Sequence, residues 1–319
     1  MSHQHLTLDS LHRAREHIQR TLAPSPVIDD IELSRQLGCP VRLKAELFQP
    51  TGSFKPRGSL NWLATASDAE LAAGLGAVSA GNHALGLAWA ASERGVPVTI
   101  VMPENASPYK VEGSRALGAE VILHGDINDA WTHMHQLVAS RGLTLVHPYD
   151  DPRIIAGQGS VGLEILEQIP HAAMLLCPIG GGGLIAGIAV AVKALRPDIR
   201  LIGVEPTGAA SMQAAFDYGG PCRLGSVETL AKSLGAAIVG EHTYPLVRRC
   251  VDALIGVSES AIDAAMRHLL FDAKLLAEPG AAVGIAALLE GQLALPQAGD
   301  IVVVVTGGNL GGDELSRWC

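Results

Sequence analysis

An α/β protein of two interlocked lobes with parallel-type twisted sheets is what this sequence predicts, and three observations carry that prediction. Short apolar segments alternate with helical ones over about residues 74–148, and again over about 157–305. Alternation at this spacing implies right-handed crossovers between parallel strands. Glycine numbers 36 and hydrophobic residues 48%, yet aromatics are only 4%, so aliphatic side chains and alanine must fill the core. Finally, Ile301 to Val305 is an uninterrupted apolar run, the pattern of a strand covered on both faces.

The elements follow in order. Residues 8–22 read as an amphipathic helix with Leu8, Leu11, Ala14 and Ile18 on one face, ended by Pro24 and Pro26. A short helix is expected over 31–37 and a strand over 41–47, with Arg42, Lys44 and Glu46 on one face. Helical character resumes over 57–66. The first alternating block predicts strands at 76–79, 98–102, 120–123 and 144–147, with helices at 82–94, 108–117 and 127–139. The second predicts helices at 157–168, 184–195, 259–270 and 281–292, and strands at 174–179, 200–205 and 301–305; residues 207–244 read as a looser region. Ligands of such sheets sit at the carboxyl ends of the strands, so the site is expected between the lobes.

Composition excludes several classes. A net charge of -9 argues against nucleic-acid or anionic-membrane partners. Residues 1–20 mix His, Arg and Glu and lack the apolar core of a signal peptide, and the apolar stretch 172–195 is broken by Pro178, glycines and Lys193. The five cysteines are widely spaced without a CxxC, which predicts reduced thiols and a cytoplasmic protein. His124, His133 and His135 match no metal-ligand spacing and read as surface residues.

Four stretches carry chemistry. In Thr51-Gly52-Ser53-Phe54-Lys55-Pro56, a lone lysine sits in a nearly uncharged turn at or just before a helix N-terminus. Burial and nearby N–H groups would there favour the free amine, the form that makes a Schiff base. A surface lysine beside a turn is the plain alternative. In Pro178-Ile179-Gly180-Gly181-Gly182-Gly183-Leu184, a strand runs through four glycines into a helix, so backbone N–H groups can converge on a phosphate. It is neither a dinucleotide fingerprint nor a P-loop. Ser79-Ala80-Gly81-Asn82-His83 is a small-residue turn entering a helix, able to grip a carboxylate; Asn82 also reads as a helix cap. Thr306-Gly307-Gly308-Asn309 leaves the apolar strand with a hydroxyl at its carboxyl end.

In this order the four stretches resemble the fold type II pyridoxal-phosphate enzymes (the tryptophan synthase β-like fold), and within them the serine/threonine dehydratase and serine racemase group. The resemblance spans nearly the whole chain, with Ile155-Ala156-Gly157-Gln158-Gly159-Ser160, Gly203-Val204-Glu205-Pro206 and Lys274-Leu275-Leu276-Ala277-Glu278-Pro279 adding to it. It implies pyridoxal 5'-phosphate as cofactor and a small-molecule amino-acid substrate. Lys55 would carry the cofactor and act as base at Cα. Phe54 would lie against the ring, Asn82 would bond its 3-oxygen, and Gly180, Gly181, Gly182, Gly183 and Leu184 would hold the phosphate. Thr306 would face the ring nitrogen, and Glu278 would stand near the ring or serve the fold. Ser79, Ala80, Gly81, Asn82 and His83 would bind the substrate carboxylate. We expect residues 1–70 and 148–319 to form a large cofactor-binding domain, residues 71–147 a small mobile one, and the chain to form a homodimer.

Departures from the family pattern narrow the activity. Racemases of the group usually carry a serine at position 80 as a second acid/base, and alanine exchanges no proton. The expected reaction is therefore an ammonia-lyase (dehydratase) acting on an L-β-hydroxy amino acid of threonine or serine type. The alternatives are an amino-acid racemase, a dehydratase for a bulkier or acidic β-hydroxy amino acid, and a phosphate-ligand binding protein in which Lys55 forms no imine. Lys232, in Thr229-Leu230-Ala231-Lys232-Ser233, stands where relatives carry an acid, the motive for the acidic-substrate alternative; a solvated lysine is the other reading. Glu205 is the candidate ligand of the family's divalent cation, but Ser211 stands where a second acid is usual, and one carboxylate is a thin set for a hard ion. Ten residues follow Asn309, so no C-terminal regulatory domain is expected.

Overall fold

The computed structural model describes residues 6–319. Its strands are β1 (Val27–Asp29), β2 (Val41–Ala45), β3 (Leu75–Val78), β4 (Val98–Met102), β5 (Glu120–Leu123), β6 (Thr144–Leu145), β7 (Ala172–Pro178), β8 (Arg200–Pro206), β9 (Ala253–Val257) and β10 (Asp300–Val305). They form two sheets. The larger has the order β1-β2-β10-β7-β8-β9, the smaller β5-β4-β3-β6. All neighbours run parallel except β1, which pairs antiparallel with β2 at the edge.

β10 is central in the large lobe, and Ile301 to Val305 are fully buried, as their uninterrupted apolar run requires. The small lobe does not close its core alone. Ile18, Leu22, Leu60, Trp62, Leu63 and Ile154 join Leu75, Ala77, Ala84, Leu87 and Ile100 in one cluster. The helix Lys55–Thr65 therefore belongs to both lobes, and this is the physical content of their interlocking.

The differences from the sequence reading lie at ends and in short elements. The first helix stops at Ile18, and the helix placed at 157 begins at Pro152, because Asp151 caps it and proline suits the first turn. β1 and β9 are two unforeseen strands; β1 is three residues long and carries no periodicity. The loose region contains the helix Ser211–Tyr218. Of the charged residues 42, 44 and 46, Lys44 and Glu46 are buried, while Arg42 stays partly exposed and pairs with Asp29 and Asp300. Arg57 pairs with Glu46 (2.7 Å) and Glu164 (2.7 Å), and Lys44 pairs with Glu164 (2.6 Å). Two cations and two carboxylates thus balance beneath the start of the helix Lys55–Thr65, with Ser160 and Ser25 completing the hydrogen bonds. Such a network is costly to break one partner at a time. Among the described residues no helix is long and apolar enough to cross a membrane.

Candidate active site

Four strand carboxyl ends converge. β2 leads through two short turns to Lys55, β3 to Ser79, β7 to the four glycines and β10 to Thr306. The loops are stitched together: Phe54 N donates to Thr306 O (3.2 Å), Gly308 N to Gly52 O (2.9 Å) and Glu278 N to Gly307 O (3.0 Å). Thr51 holds a left-handed φ of 67° in this turn.

Lys55 opens the helix Lys55–Thr65, with Phe54 at its N-cap and Pro56 in the first turn, as the sequence predicts. Its Nζ donates to Pro148 O (2.8 Å) and lies 5.2 Å from the centre of the Phe54 ring. Burial lowers its pKa from 10.5 to about 8, against the opposing pull of the Glu278 charge. Gly86 makes room for it. A Cβ there would stand 2.9 Å from Lys55 Cβ and 3.0 Å from the Lys55 carbonyl carbon, so glycine lets the helix Asn82–Ser92 lie against the lysine's backbone.

At the glycine loop, Gly182 has φ 93° and caps the helix Gly183–Leu195. Carbonyls are engaged elsewhere: Thr243 Oγ1 donates to Gly181 O (2.8 Å) and Ser211 Oγ to Gly180 O (3.5 Å). The N–H groups of Gly183, Leu184 and Ile185, in the first turn, have no intrahelical acceptor. The Tyr149 ring packs so closely that a Cβ on Gly181 would meet it at 2.3 Å. The peptide edge of this loop therefore offers donors to an anion, at the positive end of a helix.

Asn82 begins its helix, and both ends of its amide are held. Its Nδ2 donates to Glu278 Oε1 (2.6 Å), and its Oδ1 accepts from Asn309 Nδ2 (2.9 Å). Asn309 Nδ2 also donates to Thr51 O (2.6 Å). Ser79 Oγ accepts from Gly81 N (3.2 Å), shaping the turn through Ala80. The His83 ring is engaged elsewhere: its Nε2 bonds Val146 O (3.2 Å), and burial lowers its pKa to about 3. His147, lowered by burial to about 4, accepts the Asp150 N–H at Nδ1 (2.9 Å). Lys55 thus has two neutral imidazoles near it, so neither competes with it as a charged group.

The fit to pyridoxal phosphate follows from this donor set. A buried amine stands among four loops, a glycine cradle with engaged carbonyls offers N–H groups to an anion, and the buried hydroxyls Thr51 Oγ1 and Ser53 Oγ lack partners among the described residues. Glu205, by contrast, is used by the fold. Its oxygens accept from Met212 N (2.7 Å) and Gln213 N (2.9 Å), and burial raises its pKa to about 7. Among the described residues no group of three His, Cys, Asp or Glu is placed to hold a metal. Lys232 lies on an exposed 3-10 turn, its side chain 79% accessible and 3.4 Å from Glu314. Tyr149, Thr243, Asn309, Gly86 and Lys110 were not singled out from sequence. Asn309 closes the glycine stretch 306–309 but carried no role of its own there; the other four lie in none of the quoted stretches, and no periodicity marks them.

Comparison with known proteins agrees with this geometry. The chain is 41% identical over 299 residues to an L-threonine ammonia-lyase of Geobacter sulfurreducens, covering 93% of this chain and 73% of that one. It is 38% identical over 310 residues to a phenylserine dehydratase of Ralstonia pickettii, covering 97% and 95%. The structure of maize serine racemase superposes with a TM-score of 0.93 at 35% identity, covering 98% of this chain and 96% of that one. Residues 18–307 match the family described as pyridoxal-phosphate dependent enzyme. With its lysine, glycine cradle and strand-end loops in this arrangement, the chain belongs to the pyridoxal-phosphate dependent enzymes.

Proposed function

We propose that this chain is an ammonia-lyase that converts an L-β-hydroxy amino acid of threonine or serine type to a 2-oxo acid and ammonia. The buried Lys55 amine carries the reading, because its lowered pKa makes it a base near neutral pH. Pyridoxal phosphate, when bound, supplies an electron-withdrawing ring that takes up the electrons of the breaking Cα–H bond. Lys55 holds that cofactor and moves the Cα proton. The glycine loop, residues 180–183, with Leu184, binds its phosphate through backbone N–H groups. Asn82, tied between Glu278 and Asn309, is a fixed donor for the ring's 3-oxygen, Phe54 packs on the ring, and Thr306 offers its nitrogen a neutral hydroxyl. The turn 79–83 binds the substrate carboxylate with N–H groups of a helix N-terminus. Ala80 offers no acid for the opposite face, which favours elimination over racemisation.

The same reading assigns residues 1–70 and 148–319 to the cofactor domain and 71–147 to a small, mobile one; the separate four-stranded sheet supports that division. All five cysteines are unpaired, which supports a cytoplasmic protein, and the exposed Phe48, Phe271 and Leu276 support a homodimer. Among alternatives, a bulkier substrate is favoured by the resemblance to phenylserine dehydratase. An acidic substrate loses its motive, because Lys232 is solvent-exposed.

The test has two arms. The purified protein should show a visible absorbance that borohydride abolishes and that Lys55→Ala lacks. It should then be incubated with L-threonine, L-serine, L-phenylserine and L-β-hydroxyaspartate, scoring oxo acid against enantiomer formed. Oxo acid from threonine or serine, with little enantiomer, is expected. Enantiomer without oxo acid would make it a racemase, and absence of the borohydride-sensitive absorbance would make it a binding protein.

A further inference from the structure

A lysine outside every sequence motif reaches into the site. Lys110 lies on the helix Pro108–Ala116, between β4 and β5 of the small lobe. Lysines are seldom buried without a partner, yet its side chain is only 12% accessible. Its Nζ stands 3.6 Å from Glu278 Oε2, and the Glu278 side chain, in the large lobe, is 4% accessible. The other carboxylate oxygen of Glu278 accepts from Asn82, also of the small lobe. Glu278 is therefore held by two small-lobe side chains, while its own N–H is tied to Gly307 at the end of β10. The chain of contacts Lys110, Glu278, Asn82, Asn309 and Thr51 crosses between the lobes at every step but the last.

We propose that Lys110 is a positioning residue whose ammonium latches the helix Pro108–Ala116 onto Glu278 and so closes the small lobe over Lys55. Glu278 is nearly enclosed, and an enclosed carboxylate without a counter-charge is strongly disfavoured. With the lobe closed, Lys110 supplies that charge across the cleft. With the lobe open, only water and the more distant Lys55 face it, so closure and pairing are coupled. The latch also fixes Glu278 against Asn82, and through Asn82 the helix that packs on Lys55. Elsewhere on this helix Ser114 Oγ donates to Lys110 O (2.9 Å), Arg115 pairs with Glu112, and Leu85 of the small lobe lies against Gly113.

The experiment uses the cofactor-loaded protein and the variants Lys110→Met, Lys110→Arg, Glu278→Gln and Lys110→Met/Glu278→Gln. Amide hydrogen exchange is followed by mass spectrometry, with peptides of the helix Gly183–Leu195 as an internal reference for folding. Kinetics with L-threonine, which rest on the lyase reading, are measured beside it. Lys110→Met should speed exchange over 108–116 about tenfold, the scale of a coupled pair in contact, and leave the reference peptides unchanged. It should raise KM by a similar factor with a smaller change in kcat, and Lys110→Arg should recover most of both. The double variant should exchange no faster than Glu278→Gln alone. Unchanged exchange over 108–116 in Lys110→Met, or single effects that simply add in the double variant, would overturn the latch. Loss of the lyase reading would remove only the kinetic arm, since the exchange comparison needs no turnover.

Discussion

At the scale of single residues, Lys55 is where burial becomes chemistry. Its ammonium form is disfavoured by burial, so the folded pKa lies at about 8 instead of 10.5. Below pH 8 the amine is mostly protonated and cannot attack an aldehyde, and above pH 8 it is mostly free. The rate at which pyridoxal phosphate reloads the apoprotein should therefore rise from pH 7 to about 8 and then level off. Stopped-flow absorbance would check this, and a rate still climbing about tenfold per unit between pH 9 and 10 would contradict it, since only an unperturbed lysine titrates there. Lys55, Asn82 and Thr306 were legible in sequence because each sits in a short glycine-containing turn. Lys110 was not, because a lysine on a helix reads as solvent-facing until Glu278, at the N-cap of the helix Pro279–Leu289 in the other lobe, is in place.

At the scale of elements, the glycine loop depends on a helix crossing behind it. The helix Gly183–Leu195 packs on the helix Pro152–Gln168 with backbones in near contact. A Cβ at Gly187 would stand 2.4 Å from Ile155 O and 2.5 Å from Gly159 N. Both are backbone atoms and cannot turn aside. Gly187→Ala should therefore cost about 3 kcal/mol, read as a lower urea midpoint, and should weaken cofactor binding because the same helix presents Gly183 and Leu184. A midpoint equal to the parent's would refute the close crossing. Strand and helix positions were readable where period and turn residues agreed; β4 and β5 have the expected ends. The elements that escaped were the ones with no pattern of their own, such as the three-residue β1, stabilised by pairing with β2.

At the scale of the whole molecule, the cofactor is expected to act as a structural tie between loops from both sheets. A ligand that binds only the folded state stabilises it by mass action, about 4 kcal/mol at a thousand times its Kd. Removing pyridoxal phosphate should lower the melting temperature by about 5 °C or more, measured by scanning calorimetry with and without the cofactor. An unchanged transition would mean that the loops do not depend on it. The buried balance of Arg57, Lys44, Glu46 and Glu164 is a second tie at this scale. From sequence, the alternating charges at 42, 44 and 46 show only that one face is polar; that Lys44 and Glu46 are enclosed depends on the helix Pro152–Gln168 lying over them, more than a hundred residues away.

The sequence by itself determined the α/β class, the alternation of parallel strands and crossing helices, the lysine turn, the run of four glycines and the alanine at position 80. Those are local properties, set by periodicity and by what glycine, proline and alanine permit at a single position. Only the tertiary structure decided that Lys55 is buried among two neutral imidazoles, that Glu205 is occupied by a helix N-terminus, and that Lys232 is solvated. It also decided that Lys110 faces Glu278. Burial and charge pairing depend on residues far apart in the chain, and no local pattern records which of them will meet.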